Sequence, residues 1–158
     1  TLFPYTTLFR AEAARQEGGL ASYRLLAMPG ENVIGDARHF IYSKWLRSLR
    51  YENDMFRLID AERYWATYQP HIRKILDGPE TTVRLAVLSD EPDVILGFSV
   101  SRRTVLDYVY VHKDQRRQGI GSLLVPLGIE WITHLTKTAL TIWGSHDRAK
   151  EWRFDPFR

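Results

Sequence analysis

Val105-Leu106-Asp107-Tyr108-Val109-Tyr110-Val111 and, a short step later, Arg116-Arg117-Gln118-Gly119-Ile120-Gly121 are the two segments on which the reading of this chain turns. The first is rich in β-branched and aromatic residues, which predicts a strand. After the second, Ile120, Leu123, Leu124, Leu127, Trp131 and Leu135 recur at helical spacing, which predicts an amphipathic helix over 120–135. Cations and two glycines occupy the junction. A helix start carries unpaired N–H groups and the positive end of the dipole. Glycines let a phosphate approach those groups without meeting a Cβ. Strand, basic glycine loop and helix therefore describe a pyrophosphate cradle; the competing reading is an ordinary strand-to-helix turn with solvated arginines.

Outward from this stretch, Val83–Leu88 and Val94–Ser101 read as strands separated by the turn Ser89–Asp93. Arg102-Arg103 makes the tight turn into the central strand, so three strands form a meander. Tyr23–Met28 is predicted as a first strand closed by Pro29-Gly30. Asp36 suits a helix N-cap, and Phe40, Ile41, Trp45 and Leu49 make a helical stripe. Lys44, Arg47 and Arg50 near that helix's end read as a solvated face, or as a rim for an acidic ligand. A second helix is expected over 60–76, with Tyr64, Tyr68, Ile72 and Ile75 in one stripe and Pro70 kinking or restarting it. His71 reads as a surface or capping residue. Thr138–Trp143 is predicted as a last strand, parallel to the central one. The expected fold class is α/β, a mixed, mostly antiparallel sheet flanked by helices, with its C-terminal strands shortened or missing.

Thr1–Arg10 stands apart, because Thr-Leu-Phe-Pro-Tyr-Thr-Thr-Leu-Phe-Arg is the in-frame translation of a common short-read sequencing adapter. Residues 1–10 are therefore expected to lie outside the fold, with 11–158 as one domain and a metagenomic source. Without Arg10 the formal charge falls from +3 to +2, no footprint of nucleic-acid binding. No apolar run approaches the roughly eighteen residues of a membrane span. The absence of cysteine excludes disulfides, a thiolate nucleophile and thiolate metal sites. No His or carboxylate cluster has metal-ligand spacing, so no metal is expected. A cytoplasmic protein with no specific nucleic-acid or membrane partner is the resulting expectation.

Val111-His112-Lys113-Asp114-Gln115-Arg116-Arg117-Gln118-Gly119-Ile120-Gly121 resembles the acetyl-CoA loop of the GNAT N-acetyltransferases, with Lys113 where the family often has proline. The resemblance is firm over 94–143. It implies the order strand, two helices, three strands, helix, strand, and acetyl-CoA as co-substrate. It further implies that main-chain groups of Val109 and Val111 hold the pantetheine arm. Amides from Arg116 through Gln118, Gly119, Ile120 and Gly121 to Ser122 would take the pyrophosphate, helped by the Arg116 and Arg117 side chains. The first two helices of such proteins line the acceptor cleft, which makes Tyr64, Trp65 and Tyr68 substrate-binding candidates.

For the chemistry, strand alternation puts Val105, Asp107, Val109 and Val111 on one face and Leu106, Tyr108 and Tyr110 on the other. The family's side-chain base commonly sits on the face assigned to Asp107, the only carboxylate in that strand. The competing reading ties Asp107 structurally to Arg102 or Arg103. Many members carry a tyrosine acid on a later helix, but here that position falls on Arg153, and no tyrosine follows Tyr110. His146 is the remaining candidate acid. Pro126 should bend the cofactor helix by removing a bond to Ser122. The expected activity is acetyl transfer from acetyl-CoA to a primary amine of a small molecule or protein. The alternative is a non-catalytic acyl-CoA-binding regulatory or interaction domain.

Overall fold

The computed structural model describes residues 7–9, 22–145 and 151–158. The described strands form one sheet in the order β1 (Thr7–Phe9), β2 (Tyr23–Pro29), β3 (Thr81–Leu88), β4 (Ile95–Arg102), β5 (Val105–Val111), β6 (Trp131–Ile132), β7 (Arg153–Phe154). Pairings from β1 to β5 are antiparallel; β5–β6 and β6–β7 are parallel. The helices are α1 (Gly35–Tyr51), α2 (Asp54–Arg57), α3 (Ala61–Leu76), α4 (Ile120–Leu124) and α5 (Lys137–Ser145). None of the described helices is long and apolar enough to cross a membrane.

Two cores sandwich the sheet. Trp45, Ile41, Leu49, Tyr64 and Ile72 of α1 and α3 bury one face with Val83, Phe98, Val100, Tyr108 and Tyr110. On the other face Ile120, Leu124, Ala139 and Ile142 of α4 and α5 pack on Ala86, Leu96, Val109 and Val111. Gly97 permits the close approach of α4, because a Cβ there would lie 2.7 Å from the Tyr110 carbonyl and 3.1 Å from Leu124 Cδ1.

β2, β3, β4 and β5 and the two long helices lie where periodicity and turn signals put them. α3 runs through Pro70 without interruption, so the helix does not restart there. The larger correction lies beyond Gly119. The helix expected over 120–135 stops at Leu124, because Val125 adopts the extended conformation (φ −77°, ψ 122°) that a following proline favours. Trp131–Ile132 then supplies the parallel strand. Thr138–Trp143, expected as a strand, is part of helix α5. Thr136 Oγ1 accepts from the Ala139 N–H at 3.1 Å, and Ala139 and Ile142 face the core at helical spacing. β-Branched content misled there, since a cap and tertiary burial outweigh propensity.

Arg50 also departs from the solvated rim expected of it. It is buried, its Nη1 donating to the carbonyls of Phe56 (3.3 Å) and Ile59 (3.1 Å), with the guanidinium over the Tyr64 ring. Asn53 caps α2 and donates from Nδ2 to the Leu135 carbonyl at 3.1 Å. Together they fix the corner between α1 and α3 against the segment after β6.

Thr7–Phe9 pairs with Leu25–Ala27 at the sheet edge, inside the segment expected to lie outside the fold. An open edge offers unpaired backbone groups to any extended peptide, so this pairing requires no particular side chains. Deleting residues 1–10 is expected to leave the melting temperature unchanged to about 1 °C; a fall of several degrees would make β1 integral. Arg50→Met, by contrast, strands two carbonyls. It should cost about 1–3 kcal/mol in chemical denaturation.

Candidate functional site

A cleft of about 620 Å³ opens where β5 ends. Val111, Gln115, Arg116, Arg117, Gly119, Gly121 and Ser122 form one wall, and Lys137, Thr138, Thr141 and Ile142 of α5 form the other. Three cations line it and no carboxylate does. Arg117 (φ 64°) and Gly119 (φ 81°) turn the loop through the left-handed region, which Gly119 adopts at no steric cost. A Cβ on Gly119 would meet nothing within 4 Å. Leu123 N–H to the Gly119 carbonyl is the bond that starts α4. The amides before it, from Gly119 to Ser122, therefore have no helical acceptor.

The loop residues divide by role. Arg117 is exposed and has no ion pair among the described residues, as is true of Lys137. Arg116 is tied back instead: Nε donates to the Val111 carbonyl at 2.9 Å, and Nη2 bridges the Glu52 carboxylate at 3.1 and 3.2 Å. It braces the loop against the end of α1 before it offers anything to a ligand. Ile120 is buried in the core and has only its amide to contribute, while Gln118 is half-buried and outside the cleft lining. The α5 wall escaped the sequence reading because Thr138–Trp143 was assigned to a strand. Its local signal was Thr136 as a cap.

The main chain of β5 opens toward this cleft. His112 N–H donates to Leu96 across the β4–β5 ladder, so alternation turns the polar groups of Val109 and Val111 away from β4. On that side β6 has already ended, its register stopping at Leu106↔Ile132 and its last described bond being Thr133 N–H to the Leu106 carbonyl. The sheet is forked. From Tyr108 onward β5 keeps β4 on one side and has no described strand on the other.

Asp107, the candidate base, sits at the base of the fork in an environment that favours the competing, structural reading. The register jumps from Val100↔Tyr108 to Ser101↔Leu106, which leaves Asp107 as the extra residue of a bulge. Alternation fails there: Leu106 joins the cluster of Val109 and Val111 rather than that of Tyr108. Asp107 is fully buried. Its oxygens accept from Arg102 Nε and Nη2, both at 2.6 Å, and from Thr133 Oγ1 at 3.0 Å. The structural pairing with Arg102 is the reading the geometry favours.

Tyr64 is likewise removed from the substrate-contacting set. It has no exposed surface, and its hydroxyl donates to the Leu46 carbonyl at 2.6 Å. Trp65 and Tyr68 are half-buried and keep a surface to offer. Burial pushes the Tyr64 and Tyr108 phenols far above their ordinary range, which makes both weaker acids. His146 lies outside the described residues.

Sequence reasoning missed His134, which had been placed on a helix. It follows β6 directly, is buried, and hydrogen-bonds through Nδ1 to Thr133 Oγ1 at 2.8 Å. Trp45, Tyr108 and His71 surround its ring at centroid distances of 5.5, 6.1 and 6.0 Å. Burial pulls its pKa down to about 4, with the Asp107 charge opposing the fall. Burial lowers His71 as well. Among the described residues no group of three or more potential ligands is arranged to hold a metal.

Solved structures to which this chain is similar include apo YjaB from Escherichia coli, 21% identical over 65% of this chain, at a TM-score of 0.44. This chain spans 61% of that protein's length. An aminoglycoside acetyltransferase from an uncultured soil metagenomic sample is 18% identical, covering 84% of this chain and 74% of its own, at a TM-score of 0.39. The ribosomal-protein-alanine N-acetyltransferase of Brucella melitensis biovar Abortus is 13% identical over 84% of this chain and 78% of its own, at 0.42. No curated protein matches the chain significantly in sequence. The profile described as the acetyltransferase (GNAT) family matches residues 36–154, from the start of α1 to β7. The chain belongs to the GNAT acetyltransferase family.

Proposed function

We propose that the protein transfers an acetyl group from acetyl-CoA to a primary amine. The observation that carries this reading is the cleft beside β5, with its cations and acceptor-free amides at one end and, along its side, the main chain of Val109 and the Val111 N–H, the Val111 carbonyl being held by Arg116. Bound there, acetyl-CoA supplies a thioester carbonyl that an amine attacks with release of a thiol. Arg117, Lys137 and the amides of Gly119 to Ser122 hold the pyrophosphate, and Arg116 keeps their loop in place. Val109 and Val111 position the pantetheine arm as an added strand would be positioned. Trp65 and Tyr68 form an aromatic wall for the acceptor, on the face of the sheet opposite the cofactor helices.

A second reading keeps the binding and drops the transfer. It draws on the absence of any tyrosine after Tyr110, which removes the family's frequent acid. Calorimetry and thiol release separate the two. Acetyl-CoA is expected to bind, and Lys137→Glu, an exposed charge reversal in the α5 wall, should weaken it about tenfold or more without lowering the melting temperature. Thr141→Glu should act alike. Unaltered affinity in both variants would overturn the cradle assignment. A panel of sisomicin, spermidine and a peptide with an N-terminal alanine then tests transfer; binding without thiol release on any amine would favour the second reading.

A further inference from the structure

The fork in the sheet leaves the β6 side of β5 without a partner strand beyond Leu106, between the helices of the two faces. The cofactor cleft enters from the α4–α5 side at Val111. Three residues down the strand, about 10 Å at the usual rise, lies Tyr108, with His134 against it and α1 and α3 covering the other face. An acyl group reaching down from the cleft and an amine entering from the helix side would meet beside His134.

Proton counting fixes which nitrogen His134 presents there. Asp107 is paired with Arg102 as a carboxylate and has only lone pairs to offer. The single proton of Thr133 Oγ1 is therefore donated to Asp107 Oδ1. Thr133 is left with lone pairs toward His134 Nδ1, so Nδ1 carries the proton and donates. Nε2 is then a lone-pair acceptor. The side-chain hydrogen bond described for the ring, to Thr133, is made by Nδ1 and not by Nε2. A side chain more than nine-tenths buried thus keeps one basic nitrogen at the base of the fork, among the rings of Trp45, Tyr108 and His71.

We infer that His134 is the catalytic base of this acetyltransferase, with Thr133 and Asp107 as positioning residues that set its tautomer. The inference rests on the transferase reading above. Nε2 takes the proton the amine sheds as its nitrogen bonds to the acyl carbon and the carbon–sulfur bond breaks. The imidazolium then hands that proton to the departing thiolate, so the ring ends neutral. One residue serves as base and then acid, and no tyrosine is required. The charge and backbone carbonyl of Asp107 favour the transient imidazolium, while His71 and Arg102 oppose it and Trp45 and Tyr108 pack the ring. Burial holds the resting ring neutral near pH 7.

His134→Asn keeps a donor toward Thr133 and removes Nε2. Turnover on whichever panel amine the wild type accepts should fall about a hundredfold or more, with acetyl-CoA affinity unchanged and partial rescue by added imidazole. Thr133→Val should lower kcat about tenfold and Thr133→Ser restore it, separating orientation from mere packing. Nitrogen-15 NMR of the wild type should place the proton on Nδ1 near neutral pH, a readout independent of activity and of either variant's folding. Turnover of His134→Asn close to wild type, or a proton on Nε2, would overturn the assignment while leaving the transferase reading intact. Acetyl-CoA binding with no wild-type turnover on any amine would overturn both.

Discussion

The ion pair between Arg102 and Asp107 is the contact on which the site depends. It spans the two-residue turn between β4 and β5, Arg103-Thr104, and holds the bulge that Asp107 creates. A carboxylate buried without such a partner would be costly, and two charge-assisted bonds at 2.6 Å plus one from Thr133 satisfy it. The same carboxylate anchors Thr133 and hence the end of β6. β6 therefore stays beside β5 at Leu106 and no further. The opening between them gives the cleft its open backbone.

Both faces of the sheet are built to keep that opening. α4 is short because Pro126 ends it, and its C-terminal Leu124 carbonyl accepts from Ser99 on β4 at 2.6 Å. That close seat, which Gly97 makes possible, leaves the space beside β5 to the basic loop and α5. On the other face, Trp45 stacks on Tyr108 and α1 holds Tyr108 through Ser48 at 2.6 Å. Glu52, at the same helix's end, reaches around to Arg116. One helix thus touches the base of the fork and the basic glycine loop, and the two ends of the cleft share one support.

Individual residues show where sequence reasoning stopped. Tyr64 and Arg50 looked available for ligands, because a stripe of aromatics or a cluster of cations has the same pattern whether it is covered or open. Only the corner between α1 and α3 covers them. Asp107 was legible as the one carboxylate of its strand, but its facing was not, since alternation assumes an unbroken ladder and the bulge breaks it. His134 carried no local signal at all. Its meaning comes from Thr133, Asp107 and Tyr108, one of them adjacent and the others remote in the chain.

What the sequence by itself determined was local: the strands from Tyr23 to Val111, the helices of α1 and α3, and the glycine loop that names the family. Those elements follow from periods of two and 3.6, from turn residues, and from the spacing of Gly119 and Gly121, all read over a few neighbours. Only the tertiary structure decided the rest, namely that 120–135 breaks at Pro126, that Thr138–Trp143 coils against the sheet, and that β6 parts from β5 at Asp107. Each of those outcomes turns on which partner buries an ambiguous segment, and burial is a property of residues far apart in the chain.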